Sequence, residues 1–235
     1  MRKIVFFRML DQPKDFSPSN LETLMRIPSD AWFAEYVENY IWDASLRKLA
    51  EYGSLLQLEM TCGYYGRRPT GKVEVKRPKI KQKADIWVLE GVRLALATDL
   101  PSQLSPIAGS LISASFYGTL GLVDVLSFDN ERFKRLLEKV EKQGGKLTSI
   151  HLLDVNLPEG HKDVYQASES SGLGEKEKAA IESSRKIKRL GFHLRLGEDF
   201  YSFWIADRGN GTLYQPSPPQ PHQLGKLLEF FGGLA

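Results

Sequence analysis

Apolar residues recur along most of this chain, and their period predicts which element each stretch forms. Residues 3–8, KIVFFR, are β-branched and aromatic and predict a first strand. A loop follows, DQPKDFSPSN, then a short helix, LETLMRI, with Ser19 or Asn20 placed to cap it. The stretch AWFAEYVENYIWDASLRKLAEYG predicts a long helix over 31–52. In it Phe33, Val37, Tyr40, Ala44 and Leu49 fall near helical spacing and Gly53 stands where a helix would end. SLLQLEMTCGYY alternates Leu56, Leu58 and Met60 with Gln57 and Glu59, the period of a half-buried strand. Lys72, Glu74 and Lys76 alternate with Val73 and Val75 in the same way, and Pro78 points to an edge or protruding position. ADIWVLEGVRLALATD predicts two strands, or one bent strand, around Glu90-Gly91.

Residues 101–109 predict a loop, and SLISASFYG and LGLVDVLSF two further strands. ERFKRLLEKVEKQ carries Phe133, Leu136, Leu137 and Val140 on one helical stripe, capped by Asp129 or Asn130 and ended by Gly144-Gly145. With KLTSIHLLDV after it, the order strand, helix, strand suggests a parallel crossover. Residues 156–189 have little to bury and predict a polar surface excursion with one helix near 175–188. Beyond them GFHLRL and FYSFWIA alternate, with His193 and Arg195 outward. Asn210-Gly211 signals a hairpin, and HQLGKLLEFF a closing helix. The fold class expected is α+β: a largely antiparallel mixed sheet with a long N-terminal helix, a basic β-arm, and a C-terminal β-meander plus helix. The expected division is an N-terminal subdomain over 1–100, with the arm at 66–83, and a C-terminal one over 101–235, packed as one domain or two.

Composition adds bounds. Apolar residues make up 42% and charged residues 26% of 235, an ordinary globular balance. No apolar run has the 18 or so residues of a membrane-spanning helix. The start lacks the long apolar region of a signal peptide, and the single cysteine, Cys62, cannot form an internal disulfide, so a cytoplasmic setting is expected. Charge changes the picture more. Of the 18 residues GRRPTGKVEVKRPKIKQK at 66–83, eight are Arg or Lys and one is Glu, so this arm carries +7 of a chain whose net charge is +3. A mildly acidic body therefore bears one basic arm.

That arm gives the leading candidate site. Arg67, Arg68, Lys72, Lys76, Arg77, Lys79, Lys81 and Lys83, with Tyr64, Tyr65 and Trp87 beside them, suit a ribbon following a phosphate backbone and stacking on unpaired bases. Nucleic acid is the expected partner and an acidic protein the alternative. A lysine-rich edge strand that blocks aggregation is the bland reading. Catalytic signals are sparse: no GxSxG elbow, P-loop, CxxC or HxxxH is present, and the four histidines share no ligand spacing. Glu74-Val75-Lys76 resembles the catalytic strand of PD-(D/E)xK-type nucleases, with Glu59 on the strand before it. That resemblance implies a magnesium-dependent nuclease in which Glu59 and Glu74 hold the metal and Lys76 orients water. The chain departs from that pattern in lacking the upstream Asp and in placing Pro78 and more strand after the motif. Otherwise no cofactor is expected. A third reading is a protein-interaction module using the aromatic stretch at 31–52 or the C-terminal helix.

Overall fold

Ile4 and Phe6 point to one side of the first strand and Val5, Phe7 and Met9 to the other, and none of the five is more than 2% exposed. A strand that is apolar on both sides belongs inside a sheet covered on both faces. The computed structural model describes residues 1–11, 41–65 and 79–234, with the backbone alone at 41–43. In it this strand, β1 (Arg2–Met9), lies near the middle of one antiparallel sheet. The other strands are β2 (Ile41–Tyr52), β3 (Leu55–Tyr65), β4 (Lys79–Leu89), β5 (Leu94–Thr98), β6 (Val123–Val125), β7 (Lys146–Leu157), β8 (Gly160–Ser168), β9 (Ser184–Leu196), β10 (Asp199–Ala206) and β11 (Asn210–Gln215). Their spatial order is β2-β3-β4-β5-β1-β11-β10-β9-β7-β8. Along one edge β1 pairs first with β11 and then with β6.

Helices cover the two faces unequally. The front face carries Ile4, Phe6, Leu96, Phe192 and Phe203 and is covered by α2 (Asn130–Lys142), α3 (Glu175–Ser183) and α4 (Pro221–Gly232). The back face carries Val5, Phe7, Leu58 and Ile86. There α1 (Ser105–Tyr117) lies over the β1–β2 half, bringing Ile107, Ala108, Leu111 and Ile112. Among the described residues no helix covers the back face of β7, β9 and β10.

Phe231, near the end of α4, is fully buried at the centre of the front core. Its ring lies 4.3 Å from Phe6, 5.7 Å from Phe203 and 6.3 Å from Phe128. Asp199 fixes the other end of the helix, accepting hydrogen bonds from Gln223 Nε2 at 2.7 Å and Lys226 Nζ at 2.5 Å. Tyr201, also buried, donates its hydroxyl to Gln223 O, and burial keeps the phenol protonated.

Several expectations are overturned. No long N-terminal helix runs through 31–52, because residues 41–52 form β2, paired antiparallel with β3. Residues 31–40, with Trp32, Phe33, Tyr36 and Tyr40, lie outside the described residues, as does 12–30. In β2 the strand period governs: Ala44 and Leu46 are buried while Leu49, assigned to the helical stripe, is 47% exposed. Gly53 has φ 61 and, with Ser54, forms the two-residue turn into β3, so the glycine that read as a helix stop closes a hairpin instead. Residues 105–117, read as loop and strand, form α1, whose sequence is too apolar for helical and strand periods to be told apart. β6 pairs with β1, and β7 with β8 and β9, all antiparallel, so no parallel crossover joins them. The polar excursion at 156–189 contains β8, an exposed edge strand held by its ladder to β7 rather than by burial. The β10–β11 turn falls at 207–209, one step before Asn210-Gly211, which already belong to β11.

Phe231→Ala should lower stability by about 3–5 kcal/mol, the range for removing a buried phenylalanine. Urea unfolding of the two proteins measures it, and a loss below about 1 kcal/mol would mean the ring is not the packing centre assigned here.

Candidate functional site

Alternation along β3 and β4 decides where the basic residues face. Ala84, Ile86 and Val88 point into the back core, so Lys79, Lys81 and Lys83 point to the front, and all three are exposed. Their cross-strand partners on β3 are Tyr65, Gly63 and Thr61. Tyr65 thus shares the lysine face, and Lys79 Nζ lies 5.9 Å from its ring centroid, a cation–π contact. Tyr64 belongs to the opposite face and packs against the back core. Trp87 is 5% exposed and stacked on Tyr52 at 6.2 Å, so it offers no open ring to a ligand, contrary to expectation. Arg67, Arg68, Lys72, Glu74, Lys76 and Arg77 lie outside the described residues.

Glu59, the first carboxylate of the nuclease reading, stands between two cations. Arg47 donates through Nε at 2.9 Å and approaches through Nη2 at 2.7 Å, while Lys83 Nζ donates at 3.0 Å to the other carboxylate oxygen. Lys83 and Arg47 hold the Glu59 carboxyl below its ordinary value of 4.5. Both oxygens are therefore occupied, and the residue acts as a counter-ion that fixes Lys83 on the sheet.

A second surface, which sequence reasoning did not assemble, lies on the back face of β7, β8, β9, β10 and β11. It is a groove of about 590 Å³ lined among others by Ser149, Gln166, Arg189, His193, Trp204 and Tyr214. The Arg189 guanidinium sits 5.2 Å from the Trp204 ring centroid, and its Nε is buried with no hydrogen-bond partner. Trp204 Nε1 donates to the Tyr214 hydroxyl at 3.1 Å. His193 meets Phe200 edge to face at 5.3 Å. At the floor the Ser149 side chain packs directly over Gly191, which pairs with Ser149 on one side and Trp204 on the other. A Cβ there would come within 2.2 Å of Ser149 Oγ. His151, cross-strand from Arg189, has its pKa pushed down by burial and by the nearby Arg189 and Lys188, which favours the neutral ring. The outward His193 and Arg195 were legible as strand alternation. The same alternation in FYSFWIA places Phe200, Ser202 and Trp204 beside them, and that was the signal available.

Metal-binding geometry is slight. Asp154, His161 and Asp163 each bring one ligand atom within 4.8 Å of the others, on the exposed β7–β8 hairpin. His161 already faces Asn156 Oδ1 at 3.1 Å and Asp163 Oδ1 at 3.3 Å, so hairpin contacts account for its position. Cys62 is 1% exposed in the back core, where it packs as a small apolar side chain. No helix among the described residues is long and apolar enough to cross a membrane. Comparison with known proteins gives no match to a family model and none among curated proteins.

Glu59→Gln should make stability less sensitive to acid. A carboxyl whose pKa is lower folded than unfolded stabilises the fold above its unfolded pKa, and that contribution is lost as the pH falls through the folded one. The side chains of Arg47 and Lys83 are 61% and 65% exposed, so solvent screening keeps the effect to about 1 kcal/mol or less. Urea midpoints of both proteins between about pH 5 and pH 3 measure it, and parallel curves would show that the pair contributes nothing.

Proposed function

We propose that the protein binds nucleic acid through the β3–β4 hairpin, led by phosphate contacts and with little sequence preference. The observation that carries this reading is the row of Lys79, Lys81 and Lys83 at every second position on one exposed face, with Tyr65 among them. Side chains two residues apart on a strand are about 7 Å apart, a spacing close to that of successive phosphates on a strand of nucleic acid. The 13 residues joining the two strands add Arg67, Arg68, Lys72, Lys76 and Arg77 in sequence, so charge accumulates toward this end of the hairpin. Such a concentration supports long-range attraction of a polyanion. An acidic protein would be drawn by the same charge, and competition between the two ligands separates them.

The magnesium-dependent nuclease reading has no observation in its favour among the described residues, with Glu59 engaged by Arg47 and Lys83. The interaction-module reading loses its helix at 41–52, and the other helix named for it, α4, buries Leu224, Leu227, Leu228 and Phe231 in the front core.

Replacing Lys79, Lys81 and Lys83 together with Gln should weaken binding to unrelated sequences by similar factors. It should also reduce the slope of log affinity against log salt by up to about 2 for single strands. Labelled single- and double-stranded DNA and RNA, titrated across a salt series with and without magnesium, provide the measurement. An unchanged slope would remove the hairpin as the contact surface, and cleavage in magnesium would revive the nuclease reading.

A further inference from the structure

The groove on the back face has a composition that the hairpin lacks. Its aromatic side chains are graded from buried support to open surface. Trp204 is half-buried under Arg189, whereas Tyr214 is 43% exposed, and Phe200, 40% exposed, stands beyond the lining at the rim against His193. Phe200 and Trp204 lie four residues apart on the same side of β10, about 13 Å at the usual strand rise. Large apolar rings on an open sheet face are unfavourable in water unless something covers them. Around the rings stand polar groups able to donate or accept, with Ser149, Ser202 and Gln166 among them.

Charge narrows the occupant. None of the described residues lining the groove carries a carboxylate, while Arg189 and His193 line it. Arg195 extends the cationic rim beside Phe200, its cross-strand neighbour. No carboxylate pairs with Arg189 among the described residues, so no ion pair occupies its guanidinium there. The complement of this surface is an anion with flat apolar faces and hydrogen-bonding edges.

We infer that this groove binds unpaired nucleotides of a single-stranded nucleic acid, with bases stacking on Phe200, Tyr214 and the Trp204–Arg189 pair. Duplexes keep their base faces inside the stack and cannot present them to the sheet, so the groove selects single strands. The inference rests on the nucleic-acid reading of the hairpin and adds to it the form of nucleic acid recognised. The volume of about 590 Å³ lies within the usual range for ligand pockets, about 300–1,000 Å³. Gly191 lets Ser149 lie flat on the floor, since a Cβ there would come within 2.2 Å of Ser149 Oγ and push that side chain up into the groove.

The test compares wild type, Phe200→Ala/Tyr214→Ala and the triple lysine variant. Each is titrated with labelled oligothymidylate, alone and annealed to oligoadenylate. The aromatic double variant should lose about tenfold in affinity for the single strand while keeping the salt slope, because stacking releases few counterions. The lysine variant should flatten the slope for both ligands. Should the double variant fail to fold, Phe200→Ala alone is used, together with quenching of tryptophan fluorescence by the single strand, which Trp204→Phe should abolish. If the aromatic variant binds within about twofold of wild type while the lysine variant is weakened, the groove inference falls and the hairpin reading stands. Loss in the aromatic variant with an unchanged lysine variant removes the hairpin and leaves the groove. Equal losses for single strand and duplex, or no binding by wild type, overturn the groove inference.

Discussion

The two halves of the sheet meet along β1, and its double-sided burial is the constraint on which the rest depends. Through Ile4 and Phe6 it supplies the front core beneath α4, and through Val5, Phe7 and Met9 the back core beneath α1. On one edge it pairs with β5, carrying β2–β4 beyond; on the other it pairs with β11, carrying β7–β10 beyond. A polar substitution inside β1 would therefore damage the front or the back core according to its parity, in the strand that joins the two halves of the sheet. One-residue slippage would exchange the side chains of the two faces, and the different volumes packed on each side oppose it.

From this seam follows an unequal covering, and both candidate surfaces are products of it. Three helices crowd the front face, yet α4 stops short of the distal end of β3–β4, where Lys79, Lys81 and Lys83 replace the apolar residues that follow on the same face. On the back face, among the described residues, α1 covers only the β1–β2 half, and the other half carries His193, Arg195, Phe200, Ser202 and Trp204 outward in place of an apolar layer. In each case one strand changes character along its length or from face to face. Glu59 marks the boundary on the hairpin, anchoring Lys83 where the solvated end begins.

Legibility in the sequence followed how uniquely each period could be read. The stripe of Phe133, Leu136, Leu137 and Val140 has one interpretation, and α2 forms there with Asp129 accepting from Arg132 N at 2.7 Å as its cap. Alternation in 191–196 and 200–206 likewise marks β9 and β10. The stretch at 41–52 is rich in good helix formers, and its preference was overridden by pairing with β3, a long-range interaction that local spacing does not record. β8 was hidden for the opposite reason, since an exposed edge strand needs hydrogen bonds rather than apolar residues. For the candidate hairpin, charge count singled out the stretch, but the facing of Tyr64 and Tyr65 and the burial of Trp87 depend on register. The groove draws on five successive strands, β7 to β11, each contributing a few side chains, so no single strand displays it.

Twist sets how the two surfaces stand to each other. The lysine row is on the front of β4 and the groove on the back of β10, with β5, β1 and β11 between them. In a flat sheet they would face directly apart. Each step between strands rotates the sheet by about 20–25°, and the four steps from β4 to β10 accumulate about 80–100°. A twist of that usual size would separate the normals of the two surfaces by about a right angle rather than by a reversal. A flexible single strand can turn through such an angle over a few nucleotides, whereas a short duplex resists bending on that scale.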